Sequence, residues 1–289
     1  MFDSLIEPLQ FAFMQRAFLA ASLAAIVCAV VGTFVVLKGL AFLGDAVAHS
    51  SLAGMATAYI MGGSILWGAL AWVIPASLLI TYISRRANIL LDTSIGIIYA
   101  SGFSIGIIIV SEANNYTVDL FSFLFGNVLG ASWTEIIIIG SVTLVVLTLV
   151  IIFYKELLFT SYDSSMAAVS GVPVRLVQYL IPLLIGVTTV VALKTVGIVL
   201  VIALLVIPAA TARLITHRLP SIMVASVIAA LSSTIVGLYL SYYLDLASGP
   251  TIVLVATGLF IVILLASPSK GIWNHWRGNT TPSVTTGVE

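Results

Sequence analysis

An aspartate and a histidine stand four positions apart in an otherwise apolar stretch, residues 38–54, which reads KGLAFLGDAVAHSSLAG. On a helix, this spacing places Asp45 and His49 on one face, about one turn apart. An ionised aspartate near the middle of a bilayer costs about 2.5–3.5 kcal/mol on insertion scales, so the pair calls for a compensating role. Imidazole and carboxylate suit borderline divalent ions such as zinc, manganese and iron(II). The pair therefore predicts a path for a metal ion.

Two ligands from one chain are too few for a stable metal site. If two copies of the chain faced each other, two aspartates and two histidines would converge, enough for transient capture and release. The alternative interpretation is a buried, hydrogen-bonded Asp45–His49 pair with a purely structural role. Cys28, the single cysteine, lies in an apolar run, which excludes an intramolecular disulfide or a thiolate cluster.

The elements that must position this pair are membrane-spanning helices. Of the 289 residues, 61% are hydrophobic and 8% are charged, whereas a soluble domain has about 25% charged residues. A spanning helix needs about 20 apolar residues, and the polar and Pro/Gly interruptions give nine candidates, with eight also left open. They are 14–37, 41–61, 64–84, 93–111, 133–155, 175–194, 196–216, 221–244 and 250–267. The fold predicted is an all-α, polytopic transmembrane bundle of eight or nine helices.

Two further segments complete this organisation. Residues 119–130 are too short to span a bilayer and predict a re-entrant or interfacial segment. Residues 1–267 are expected to form the membrane domain, and the polar residues 268–289 a short disordered tail. The N-terminus is acidic and lacks the cationic region of a signal peptide.

Charge predicts the orientation. With the N-terminus outside, nine of the eleven Lys and Arg residues fall on the cytoplasmic side: Lys38, Arg85, Arg86, Lys155, Arg175, Arg213, Arg218, Lys270 and Arg277. Arg16 and Lys194 fall outside, where the acidic residues also lie: Asp3, Glu7, Glu112, Asp119, Glu135 and Asp245. The C-terminus is then cytoplasmic.

Several other residues have two interpretations each. Glu112, Asp119, Glu135 and Asp245 either ring an outer vestibule or are solvated loop ends. Asp92 either caps a helix or lines an exit path. His217 and His275 neighbour Arg218 and Arg277, which favours an interfacial position over metal ligation.

Short motifs indicate packing and docking. Gly102/Gly106 and Gly126/Gly130 have the spacing that lets helices approach closely in lipid. Pro208 predicts a local break or kink of its helix, and two roles stay open for this residue, pore lining and simple packing.

Residues 163–170 predict a short amphipathic helix that begins at Asp163 and ends at Gly171. It is either a docking site for another protein or an ordinary connecting loop.

One motif suggests an enzyme. Gly102 to Gly106 match G-x-S-x-G, and Asp45 and His49 would complete a hydrolase triad. A nucleophile elbow requires a strand-to-helix turn, whereas this pentapeptide lies within an apolar span. The sequence also contains no P-loop motif, so the chain is not expected to hydrolyse ATP itself.

Six segments, taken together and in order, resemble the membrane permease of bacterial ATP-binding-cassette importers for zinc, manganese and iron, the metal-type permease family. They are KGLAFLGDAVAHSSLAG, DTSIGIIYASGFSIGI, VDLFSFLFGNVLG, YDSSMAAVSGVPV, VGIVLVIALLVIPAATARL and SGPTIVLVA. The resemblance implies a homodimer in the bacterial plasma membrane, with a cytoplasmic ATPase and an extracytoplasmic metal-binding protein as partners and no nucleic acid. It also implies a transported ion and no permanently bound cofactor.

At residue level, the resemblance carries the family's Asp and His onto Asp45 and His49, and makes residues 163–173 the coupling helix that docks on the ATPase. Many relatives have an Ala-Arg pair before the Leu-Gly of this helix, and residues 167–171 lack that arginine. A competing hypothesis is an ion-coupled secondary metal transporter, which would need further intramembrane carboxylates and inverted repeats. The metal stays open among manganese, zinc and iron, with manganese or zinc favoured.

Overall fold

The computed structural model describes residues 7–112, 126 and 128–266, and within these the regular structure is helical, without strands. Twelve α-helices follow in order: α1 (Ala12–Lys38), α2 (Ala41–Ser50), α3 (Leu52–Ile60), α4 (Ile65–Ala87), α5 (Leu91–Glu112), α6 (Trp133–Ile152), α7 (Tyr154–Tyr162), α8 (Ser164–Val169), α9 (Val174–Val196), α10 (Ile198–Ile215), α11 (Leu219–Leu244) and α12 (Ser248–Ala266). Short 3₁₀ turns form at Glu7–Gln10 and Val128–Gly130.

Eight of the described helices are long and apolar enough to cross a membrane: α1, α4, α5, α6, α9, α10, α11 and α12. The predicted polytopic helix bundle is confirmed. The segment predicted as span 41–61 forms two shorter helices, α2 and α3, separated at Ser51. Ser51 keeps right-handed helical angles and its N–H donates to the Val47 carbonyl at 3.0 Å, so the break is local.

Helix α1 lies at the centre of the bundle and packs on α6, α9, α10 and α11. In an apolar 18-residue stretch of α1, 72% of the residues are buried, whereas in the corresponding stretch of α12 only 17% are buried. Small residues allow this packing: a Cβ added at Gly32 would lie 2.0 Å from the Leu205 carbonyl oxygen of α10. Helices α2 and α3 lie against α5, with α4 and α9 also in contact.

The structure differs from the sequence predictions at three places, which are Pro208, the end of the span 133–155 and Gly126. Helix α10 continues through Pro208, which is buried, so the helix is not broken there, while the predicted kink stays a prediction. The span predicted over 133–155 ends at Ile152, and α7 follows after Phe153. Gly126 lies outside a described helix, with φ +68°, where a Cβ would meet the Gly197 nitrogen at 2.1 Å. Gly126 therefore makes a tight backbone contact and is not part of a helical pair.

Hydrogen bonds gather several predicted cytoplasmic residues at one end of the bundle. Lys38 Nζ donates to the Thr160 carbonyl at 3.1 Å, and Arg85 Nη1 donates to Gln178 Oε1. Lys194, predicted outside, pairs with Glu135 at 3.3 Å, and Ser132 and Glu135 form a capping box at the start of α6. Gln178 and Lys194 are sixteen residues apart in α9, about 24 Å along its axis. The two groups therefore lie at opposite ends of one helix.

Some predictions fall outside the described residues. These are most of the re-entrant segment 119–130, the tail 268–289, and the residues Asp3, Asp119, Lys270, His275 and Arg277.

Candidate metal site

Helix α2 carries both predicted ligands on one face. His49 Nε2 and Asp45 Oδ1 are 3.3 Å apart, as the i,i+4 spacing predicts. A charge-assisted N–H···O bond is typically about 2.7–2.9 Å long, so this contact is longer than a strong hydrogen bond. One helix thus brings the two candidate ligand atoms side by side.

The position of the pair along its helix differs from the prediction. Counting along one helix from Lys38 predicts depths of about 10 and 16 Å for Asp45 and His49. In the structure α1 ends at Lys38, Gly39 turns the chain with φ +70°, and α2 begins at Ala41. Counted from Ala41, the two residues lie about 6 and 12 Å along the helix.

The pair is only partly buried within one chain, whereas the structural interpretation assumed a buried pair. The Asp45 side chain is 41% exposed and that of His49 30%. Phe42, on the same helical face, is 79% exposed. We call these three residues the open face of α2. The opposite face is packed, because Gly44 lies against Leu205 of α10.

Two aromatic residues of α5 hold one side of the His49 ring. The ring centroids of Tyr99 and Phe103 are each 5.8 Å from that of His49, and both contacts are edge-on. Tyr99 and Phe103 stack on each other at 6.0 Å. Neither residue is among those predicted from the sequence, although two aromatic side chains four positions apart on a predicted helix are a usable signal.

Gly102 and Gly106 bring α5 close enough for this contact. A Cβ at Gly102 would lie 2.8 Å from Ser50 Cβ, and one at Gly106 would lie 2.9 Å from the Ala53 nitrogen. The predicted close helix packing is therefore present beside His49. The same residues frame the G-x-S-x-G pentapeptide, which is helical throughout and lacks the strand of a nucleophile elbow.

The second ring nitrogen of His49 has no partner. Nδ1 is buried and makes no hydrogen bond to any residue that the structure describes. Metal-ligating histidines usually donate this N–H to a carboxylate, carbonyl or water. The orientation of the His49 ring therefore rests on the aromatic contacts and on Asp45.

The other candidate ligands do not join the pair. In the described part of the chain, no three His, Cys, Asp or Glu side chains form a group able to hold a metal ion. His217 and Asp92 are exposed. Glu135 bonds to the Ser132 N–H and to Lys194, and Asp245 ends α11 with φ +51°. These contacts favour helix-end roles over an outer vestibule.

The predicted cytoplasmic helix forms as α8. Asp163 caps it, accepting from the N–H groups of Ser165 at 2.8 Å and Met166 at 3.0 Å. Gly171 follows with φ +80°, and Pro173 precedes α9. Met166 is 61% exposed and Val169 is 85% exposed. The helix thus presents apolar side chains outward, as a docking element does.

Known proteins match this chain in both sequence and structure. The model of the ABC 3 transport family matches residues 10–267. The manganese transport system membrane protein MntC of Halalkalibacterium halodurans is 41% identical, over 96% of this chain and 94% of its own. A probable iron transport system membrane protein of Haemophilus influenzae is 34% identical, over 92% and 98%. The solved structure of PsaBC from Streptococcus pneumoniae in complex with Fab matches with TM-score 0.83 and 35% identity, over 96% and 100%.

Proposed function

The chain belongs to the ABC 3 transport family, and on that premise we propose that it is the permease subunit of an ATP-driven importer of manganese(II). The observation that carries this proposal is the Asp45–His49 pair on the open face of α2. The transported ion is the substrate and passes this pair on its way through the membrane.

The spacing of the two ligand atoms fits one ion. If an ion lies about 2.1 Å from each of these two atoms, which are 3.3 Å apart, the ligand–ion–ligand angle is about 104°. This angle lies between the octahedral and tetrahedral values, so neighbouring coordination positions can be filled without moving the side chains. Two ligands hold an ion weakly, which suits a step in transport.

A second copy of the chain would complete the site. The open face of α2 places Phe42, Asp45 and His49 toward the surroundings of a single chain. Exposing an ionised carboxylate to lipid is costly. A two-fold axis beside this face would cover it and bring four ligands together. We therefore propose a homodimer with the ion path at its centre.

The charge pattern supports the orientation. The end of the bundle with Lys38, Arg85 and Arg213 is the cytoplasmic side by the excess of cations. The N-terminus is then outside and the C-terminus inside, in the plasma membrane of a bacterium. Helix α8 lies on the cytoplasmic side, where a separate ATPase would dock and pass on the motion that alternates access. A separate extracytoplasmic protein would deliver the ion.

The names of the relatives favour manganese, since MntC is a manganese transport protein by name. Iron(II) is the second candidate, because the Haemophilus influenzae relative is named for iron transport. Zinc accepts the same ligands. Selectivity among the three is assigned mainly to the separate binding protein.

The test is manganese uptake in cells that lack their own importer and express this chain with its ATPase and binding protein. Asp45→Ala and His49→Ala are expected to lower uptake by at least about tenfold, since even supporting residues of metal sites contribute 10–100-fold. His217→Ala, which removes an exposed histidine that does not join the pair, is the control and should keep normal uptake.

Normal uptake in both ligand variants, with equal protein levels, would contradict the site. Omitting the ATPase tests the competing secondary transporter. Uptake that persists without any ATPase would favour that alternative, whereas its loss supports an ATP-driven importer.

A further inference from the structure

A cavity of about 300 Å³ lies where α1 and α4 end, and none of its lining residues belongs to the open face of α2. Its polar wall consists of Lys38, Thr81, Ser84, Arg85 and Gln178. The rest of the lining is apolar and includes Leu40 and Leu91. The cavity thus combines a cationic side with an apolar side at the boundary of the bundle.

The cavity is positively charged and lacks an acidic partner. Its lining contains one lysine, one arginine and no carboxylate. Among the described residues, neither Lys38 nor Arg85 has a carboxylate oxygen within 4.0 Å. Asp92, which follows Leu91, is exposed and does not line the cavity. Two cations with no described carboxylate within 4.0 Å attract an anion and repel a metal cation.

Both cations have hydrogen-bond donors to spare. Lys38 Nζ has three N–H donors and uses one on the Thr160 carbonyl, and Arg85 has five and uses one on Gln178. Thr81 donates to the Gln178 carbonyl at 3.2 Å and Ser84 to the Ile89 carbonyl at 2.9 Å. These bonds hold the wall in place. The remaining lysine and arginine donors line the same cavity and are available to an anion.

Placement at helix ends alone does not account for this arrangement. Lys38 and Arg85 lie in the last turns of α1 and α4, where a cation interacts favourably with the helix dipole. That explains each residue separately. It does not explain why both line one cavity with a neutral amide, two hydroxyl side chains and no acid.

We propose that this cavity binds a phosphate group. Arginine and lysine are the usual phosphate ligands in proteins, arginine through paired N–H donors and lysine as a point charge. The phosphate can belong to an anionic phospholipid or to free phosphate. The apolar wall beside the cations and the position at the ends of apolar spans favour a lipid headgroup, with Leu40 and Leu91 beside the start of the acyl chains. This inference holds whether or not Asp45 and His49 bind metal.

Native mass spectrometry of the purified full-length chain in nonionic detergent tests the proposal. The wild type is expected to retain one phosphatidylglycerol per chain at a concentration where phosphatidylcholine is not retained. The double variant Lys38→Gln, Arg85→Gln should weaken retention by about tenfold or more. The double variant Arg86→Gln, Lys155→Gln removes two exposed cations outside the cavity and is the matched control.

A second arm identifies the source of the phosphate. Equilibrium dialysis of lipid-free wild type with radioactive inorganic phosphate measures whether the free anion binds alone. Retention of phosphatidylglycerol identifies the ligand as a lipid headgroup. Binding of inorganic phosphate by a protein that does not retain phosphatidylglycerol identifies the ligand as the free anion.

Folding of the variants is controlled by charge-preserving substitutions. Lys38→Arg and Arg85→Lys keep both cations and should retain the ligand, even if the Thr160 and Gln178 contacts change. Equal retention of both lipids by the wild type, with no inorganic phosphate bound, overturns the proposal. Equal retention by the cavity variant and its control overturns it as well.

Discussion

At the residue scale, the His49 ring is held by three neighbouring side chains. Asp45 lies 3.3 Å from Nε2, while Tyr99 and Phe103 meet the ring edge-on. Nδ1 has no hydrogen-bond partner in the described part of the chain. Because no hydrogen bond fixes Nδ1, packing has to orient the ring. The two aromatic residues are therefore positioning residues of the proposed site.

Replacing Phe103 with alanine should loosen His49 without removing a ligand. Edge-on aromatic contacts contribute about 0.5–1.5 kcal/mol, so the manganese concentration for half-maximal uptake should rise by about two- to tenfold. The maximal rate should fall much less. The measurement is the manganese dependence of uptake at equal protein levels.

Two conservative variants serve as controls for this effect. Phe103→Tyr and Tyr99→Phe keep the rings and should keep the half-maximal concentration. A variant that lowers only the maximal rate, or a Phe103→Tyr variant as impaired as Phe103→Ala, would contradict a positioning role.

At the element scale, α5 is held mainly by its contact with the consecutive helices α2 and α3. Only 22% of the residues in its apolar 18-residue stretch are buried, and Gly102 and Gly106 are among the buried residues of α5. The glycines allow the helix backbones to approach at the level of Ser50 and Ala53. Since α5 also carries Tyr99 and Phe103, the packing of this one helix positions the aromatic side of the site.

Two substitutions in α5 should have opposite effects on stability. At Gly106 an alanine Cβ meets Leu52 Cγ at 2.8 Å and the Ala53 nitrogen at 2.9 Å. Overpacking of this kind costs about 1–3 kcal/mol, so Gly106→Ala should lower the thermal midpoint. At Gly96 nothing lies within 4 Å, and Gly96→Ala should raise it slightly through helix propensity.

Thermal unfolding in detergent, compared with wild type, checks both variants. The two substitutions are chemically identical and lie in the same helix, so they differ only in the space available. Equal shifts for both would contradict the importance of the close contact between α5 and α2–α3.

At the scale of the whole molecule, the open face of α2 is the feature that one chain leaves incomplete. Phe42, Asp45 and His49 face outward from the described bundle, and no further ligand from the described residues joins them. A second copy would cover the face and double the number of ligands. The proposed metal site therefore depends on dimer assembly.

A cysteine at Phe42 should report that assembly. Phe42→Cys is expected to give cross-linked dimers in membranes with a short bifunctional thiol reagent, because the proposed two-fold axis brings both copies together there. Leu254→Cys, 71% exposed on α12, is the control and should stay monomeric. Native Cys28 is fully buried and gives little background. Cross-linking at Leu254 alone would place the interface elsewhere.

The sequence by itself determined what depends on neighbours along the chain. Apolar length predicted the eight spanning helices, although it also predicted a span over 41–61, and the i,i+4 spacing placed Asp45 and His49 together. Asp163 and Gly171 predicted the limits of α8, because a cap bonds to N–H groups two or three residues away. Each of these features needs only local geometry and the hydrophobicity of one segment.

Only the tertiary structure decided which faces meet. It supplied the break at Ser51, the turn at Gly39, the aromatic contacts from α5 and the exposure of the Asp45–His49 pair. In a soluble helix a polar stripe marks the outer face. In a membrane the lipid-facing surface is as apolar as the interior, so hydrophobicity does not mark the packed face. Close packing of small residues makes that choice, and it depends on residues distant in sequence.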